Sequence, residues 1–154
     1  MSTLTGEIEL AVLARLQAKE IGQPGGYLRT LRSYGGGARD ARRSLVAPMP
    51  AVFVAWAGAS YDEAGGDCVA VVSLWDVTVA DDSSLGEVAR RQGQGEGSHP
   101  GVYRMLEDVR ALLWGWAPVE GVGPFELAEV RREEVSESVA AFRQRWRARY
   151  LETL

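Results

Sequence analysis

The chain has 154 residues, 17 basic against 21 acidic side chains for a net charge of −4, one cysteine and one histidine. That length suits one domain, which buries roughly 70% of its unfolded surface; the acidic balance argues against broad binding to duplex DNA, a lone cysteine excludes an internal disulfide, and a zinc site would want several His or Cys ligands. No apolar run approaches the roughly 18 residues that span a bilayer, and the N-terminus lacks the basic and then apolar order of a signal peptide, so a soluble protein made in a cytoplasm is expected.

Residues 5–20 read as a helix, with Thr5 expected at the N-cap, Glu7 and Glu9 near the positive end, and Ile8, Ala11, Val12, Arg15 and Leu16 along one face. Gly22, Pro24, Gly25 and Gly26 stop it. A short strand from Tyr27 to Ser33 follows, and Tyr34-Gly35-Gly36-Gly37 opens a loop containing Arg39, Asp40, Arg42 and Arg43. This glycine-rich stretch lacks both the Gly-Lys-Ser/Thr ending of a phosphate loop and the glycine spacing of a dinucleotide fingerprint, so it reads as a turn.

Pro48 and Pro50 bound an unbroken apolar run, Ala51 to Ala57, which has the length and limits of a central strand. After an acidic, glycine-containing turn at 62–67, a long strand runs from Cys68 to Ala80. Alternation puts Val69, Val71, Ser73, Trp75, Val77 and Val79 on one face and Ala70, Val72, Leu74, Asp76 and Thr78 on the other, and the two strands are expected to pair antiparallel. Cys68 is expected to be buried as a small hydrophobe, with no adjacent positive charge to activate it. Residues 81–99, with four glycines and few groups able to stay buried, read as a mobile loop or arm, either a partner contact or a connector.

Ser98 or His99 is then expected to cap a second helix with Pro100 at its first position. Val102, Leu106, Val109, Leu113 and Trp116 recur at helical spacing, joined by Met105 and Leu112, before Gly115 and Pro118. Two extended segments close the chain, Phe125 to Arg132 and Val139 to Leu151, around a turn at Ser136, Glu137 and Ser138.

The last segment carries Arg143, Arg145, Arg147 and Arg149 at every second position. As a helix it would align Phe142, Trp146 and Tyr150 but set Arg149 beside that aromatic stripe. As a strand it faces Ala140, Phe142, Trp146, Ala148 and Tyr150 one way, interrupted by Gln144, and all four arginines the other. No β-branched residue follows Val139, so pattern rather than propensity carries the strand reading. Glu126, Glu129, Glu133 and Glu134 in the preceding segment could face the arginines across a sheet. Three uses of the row stay open: a solvated, salt-bridged face, a docking face for another protein, or a nucleic-acid contact. Charge is also segregated along the chain: residues 21–50 carry +4, 51–99 carry −6, 100–138 carry −4 and 139–154 carry +3, and all basic residues except Lys19 are arginine. Oppositely charged surfaces of this kind can meet across copies.

The residue types that carry catalysis are sparse. His99 has no Cys or Ser partner suggested by spacing, which favours a capping or loop role. The acid pairs Glu107/Asp108 and Glu133/Glu134 are adjacent in sequence rather than set across a cleft. No catalytic, cofactor or metal residues are expected, and the reading is of a protein that is not an enzyme.

Several stretches together resemble a known family. They are Tyr27-Leu28-Arg29-Thr30-Leu31-Arg32-Ser33-Tyr34-Gly35-Gly36, Pro50-Ala51-Val52-Phe53-Val54-Ala55-Trp56-Ala57-Gly58, Trp75-Asp76-Val77-Thr78-Val79-Ala80, and Gly101-Val102-Tyr103 through Leu113 to Trp116-Ala117-Pro118. In order and spacing, over roughly residues 5–150, the chain resembles the tail-terminator family of Mu-like contractile-tailed phages and prophages. The resemblance implies a single α+β domain over 1–154, with two main helices packed on one face of a mainly antiparallel sheet and an arm at about 81–99. It implies a homohexameric ring that caps the tail tube, stops tube polymerisation and offers a joining surface to the head connector. A neck or tail-completion protein of similar fold at the head–tail junction is the alternative. The implied partners are further copies of the chain, the tail tube protein, the sheath, and the connector or neck protein, with no membrane and no specific nucleic acid. The implied place is the tail–neck junction of the virion, after assembly in the host cytoplasm. A ring needs two complementary patches per subunit, and Arg39, Arg42, Arg43, Arg90, Arg91, Arg143, Arg145, Arg147 and Arg149 are the candidate contacts to a neighbouring subunit or the tube.

Overall fold

The structure, a computed structural model, describes residues 3–17, 21–22, 26–33, 47–82, 89, 91, 93, 99–136 and 138–153, with backbone only at 63–64 and 134–136. The glycine-rich turn, Arg39, Arg42, Arg43, Arg90 and most of the 81–99 arm lie outside the described residues.

Helix α1 spans Leu4–Leu16, one residue ahead of the expected start. Thr3, not Thr5, is its N-cap, because only Thr3 stands where its hydroxyl can accept from the N–H of Gly6, at 3.0 Å. Ile8, Val12 and Leu16 are buried and recur every four residues, as an amphipathic helix requires. Strand β1, Thr30–Ser33, begins later than its sequence suggests and lies parallel to β2, Ala51–Gly65. Strand β2 continues through the segment read as a turn. The reversal is confined to Gly66 and Asp67, where Gly65 and Gly66 take positive φ and lead directly into β3, Cys68–Asp81. Cys68 is not buried as expected but half-exposed, because it lies at the far end of this hairpin.

Helix α2 runs from Val102 to Leu113 and buries Val102, Met105, Val109 and Leu113. The expected cap at Ser98 or His99 is not the one used. Gly101 occupies the N-cap with φ 83°, a conformation that favours glycine, and Pro100 precedes the helix. Gly115, with φ 73°, follows the C-cap Trp114, so Trp116 packs beyond the helix. Strands β4, Glu126–Ser136, and β5, Val139–Thr153, complete the chain.

One five-stranded sheet results, in the order β1-β2-β3-β5-β4, antiparallel except at the β1–β2 edge. Both helices pack on one face. There Val52, Val54, Trp75, Val77, Val79, Phe125, Trp146 and Ala148 meet the buried stripes of α1 and α2. The helices are tied to one another and to the chain entering β1: Arg15 Nε donates to the Leu112 carbonyl at 3.0 Å, and Tyr27 donates its hydroxyl proton to Asp108 Oδ2 at 2.7 Å. Burial and that bond push the Tyr27 pKa up. On the opposite face Met49, Ala51, Phe53, Ala80, Val139 and Ala141 form a second, smaller cluster.

Trp75 sits at the centre of the main core with no exposed surface. Trp75→Ala should lower unfolding free energy by about 3–5 kcal/mol, read as a reduced urea midpoint at constant slope.

Candidate functional site

Strand β5 answers the question posed by its alternating arginines. Gln144, Trp146 and Ala148 are buried beneath the helices, and Arg143, Arg145, Arg147 and Arg149 all lie on the opposite face. The helical alternative would have placed Arg149 in the aromatic stripe, and β3 on one side and β4 on the other hold the segment extended.

The arginines find their counter-charges within the chain. Cross-strand register sets Asp76 of β3 opposite Arg145, and the guanidinium donates to it twice, Nε to Oδ1 at 2.8 Å and Nη2 to Oδ2 at 3.0 Å. This fork is the strong form of a charged hydrogen bond, and it raises the Arg145 pKa above its usual value, against the opposing effect of desolvation. Arg143 approaches the same carboxylate at 3.8 Å and bridges to Glu133 of β4 at 3.3 Å. At the outer end of the row Arg147 donates to Glu126 at 3.2 Å and Arg149 stands 3.9 Å from it. Of the four expected glutamates, Glu126 and Glu133 act as partners. Glu129 instead binds Arg131 at 2.6 Å, and Glu134 has no described side chain. Asp76 was legible as a residue of that face, but its role required the β3–β5 register.

The row is graded in exposure. Asp76 retains 15% of its side-chain surface and Arg143 23%, whereas Arg149 retains 61%. Arg143 and Arg145 therefore clamp β3, β5 and β4 together, while Arg147 and Arg149 present guanidinium groups to solvent. Arg91, the other described candidate, is half-buried and its Nε has no hydrogen-bond partner among the described residues.

A second polar site, which spacing did not reveal, closes the ends of the 81–99 segment. Asp81 has a fully buried side chain; its Oδ1 lies 2.7 Å from His99 Nδ1, and its Oδ2 accepts from the Gly101 N–H at 3.0 Å. The carboxylate thus satisfies the start of α2 in place of a side-chain cap. Burial raises its pKa, while the His99 and Gly101 hydrogen bonds act in the opposite direction. With Asp82 these residues bring ligand-type atoms within 4.8 Å of one another, but both oxygens of Asp81 already have partners. On the exposed flank of α2, Glu107, Arg110, Ala111 and Trp114 line an open depression, with the Arg110 guanidinium 5.3 Å from the Trp114 ring.

Comparison with known families gives one identification. The family model described as Bacteriophage Mu, Gp37 matches residues 4–151, and the chain belongs to that family. No curated protein matches the chain.

Two results are expected. Asp76→Ala, which strips the central fork, should cost about 1–3 kcal/mol of stability, whereas Glu126→Ala on the exposed rim should cost under about 1 kcal/mol; denaturant titration of both variants checks the ranking. The folded state holds the Asp81 proton more tightly than the unfolded chain does, so that residue's contribution is fullest below the ordinary value of 3.8 and is lost as pH rises through the elevated folded value. The stability of the wild type relative to Asp81→Asn should accordingly increase as pH falls through the carboxylate range, as measured by urea titrations at a series of pH values.

Proposed function

We propose that this member of the Bacteriophage Mu, Gp37 family is a tail terminator: a non-enzymatic protein whose copies close into a ring on the last ring of the tail tube. In this reading the ring stops tube polymerisation and offers the joining surface for the head connector. The observation that carries the proposal is the family match over residues 4–151, joined to the order and spacing of the motifs that resemble tail terminators. The chemistry of the molecule supports a role by shape. Among the described residues its most developed polar feature is the arginine–carboxylate network across β3, β5 and β4, which stiffens that part of the face and leaves cations at its rim.

That grading divides the candidate residues by task. Arg143 and Arg145 hold the sheet, and Arg147 and Arg149 meet acidic surface on the tube or a neighbouring subunit. Opposite charges at such a rim steer encounter and fix orientation more than they add affinity. The alternative, a neck or tail-completion protein of similar fold, shares this chemistry and differs in which ring the chain occupies.

Electron microscopy of assembled particles carrying a tagged chain tests the proposal. The tag should appear as a collar between tube and connector, and particles lacking the chain should carry tubes of uncontrolled length without heads. Density in the connector or neck alone, with tube length unchanged in the absence of the chain, favours the neck reading. Replacing Arg147 and Arg149 together by Glu should leave the fold intact by circular dichroism and reduce attachment to tubes. Undiminished attachment would remove the rim arginines from the interface.

A further inference from the structure

We infer that the acidic end of the β2–β3 hairpin in one copy of this chain seats on the exposed end of the arginine row in the next copy, with Tyr61 over the apolar strip beside that row. The inference rests on the ring reading and names the surface of a neighbouring subunit that Arg147 and Arg149 meet.

The receiving surface lies on the sheet face opposite the helices. Register sets Leu74 beside Arg147, Val72 beside Arg149 and Ala70 beside Leu151, so three apolar positions of β3 share a face with the outer arginines of β5. On the other flank β2 places Gly58 and Ser60 opposite Leu74 and Val72, side chains too small to cover the strip. Val72 and Leu74, in a strand paired on both sides, are accordingly half-exposed, and Leu151 keeps 66% of its surface. Among the described residues Arg147 and Arg149 have one carboxylate between them, that of Glu126 at 3.2 and 3.9 Å, and it is itself 48% exposed.

The hairpin end has the opposite charge. Asp62, Asp67 and Glu152 are all exposed, and none has a cationic partner among the described residues. They gather at one end of the sheet: Asp62 is level with Ala70, Asp67 lies in the turn, and Glu152 is level with Val69. No basic residue occurs between Arg43 and Arg90, so the hairpin itself offers these acids no counter-charge. Tyr61 stands beside them, 62% exposed. Burial, and then the nearby Glu152 carboxylate and Tyr61, push the Tyr150 pKa up, which places these groups within one another's field.

The two surfaces are out of reach of each other within one copy. From the level of Arg149, at Val72, to Asp67 is five residues of β3, or about 17 Å, and Asp62 is two strands away from β5. Because the surfaces differ, each copy can present one and receive on the other, the head-to-tail contact that a ring repeats. Exposed ion pairs alone contribute little. A contact centred on Tyr61 and the Val72–Leu74 strip, with the charges around it, has the apolar centre and polar rim of a protein interface, and the opposed charges set its orientation.

The test uses the scarcity of lysine, since Lys19 is the chain's one lysine. In assembled particles built from the full chain with Lys19→Arg and Arg149→Lys, a carbodiimide joins the amine at position 149 to a touching carboxylate as an amide, with loss of water. Denaturing gels should show a ladder of covalent multimers, and peptide mapping should place the new amide between position 149 of one copy and Asp62, Asp67 or Glu152 of the next. Adding Asp62→Asn, Asp67→Asn and Glu152→Gln should abolish the ladder. A ladder that survives those changes, or links made only to Glu126 or to a different virion protein, would overturn the inference. A collar seen by microscopy without linked multimers removes the hairpin contact and leaves the terminator reading; absence of any collar removes both.

Discussion

The register of β5 between β3 and β4 is the constraint on which the rest of the structure depends. A period-two strand can satisfy two chemistries at once, and here it buries Trp146 and Ala148 against the helices while setting four guanidinium groups on the other face. A slip of one residue would bury the arginines and expose the tryptophan. The fork between Arg145 and Asp76 reinforces the register from the opposite face, because its two short bonds form only when these residues are paired.

This arrangement changes the meaning of the charge segregation. Along the chain, the basic C-terminal segment and the acidic segments before it look like surfaces that await one another on separate copies. Folding brings β5 between β3 and β4, and much of the contrast is neutralised across strands by Asp76, Glu133 and Glu126. What remains for a partner is the exposed end of the row. The carboxylates therefore act first on the fold and only then on its surface.

A similar economy appears at the start of α2. Asp81 ends β3, Gly101 begins the helix, and one buried carboxylate meets both the Gly101 N–H and His99. The two ends of the long intervening segment are joined at one point, whatever its length. Helix α2 is in turn fastened to α1 through Arg15 and Leu112, so the helical layer and the sheet are bound by polar contacts as well as by the core.

Much of this architecture was legible in the sequence because it rests on local periodicity. The spacing of Ile8, Val12 and Leu16, that of Val102, Val109 and Leu113, and the alternation along β3 and β5 determined two helices and two long strands with their inward faces, although Met105 rather than Leu106 completes the buried stripe of α2 and Trp116 packs beyond it. Side-chain direction is set by backbone geometry within a few residues. Element ends were less legible: Thr3 displaced Thr5 as a cap, and β2 continued through Asp62, because a hydroxyl's reach or a neighbouring strand decides such limits. Only tertiary structure decided that β1 lies parallel to β2, that Asp76 and not a β4 glutamate anchors the arginine row, and that His99 has a partner in Asp81. Each joins residues distant in the chain, and which distant groups meet is fixed by strand order and packing, which local spacing does not encode.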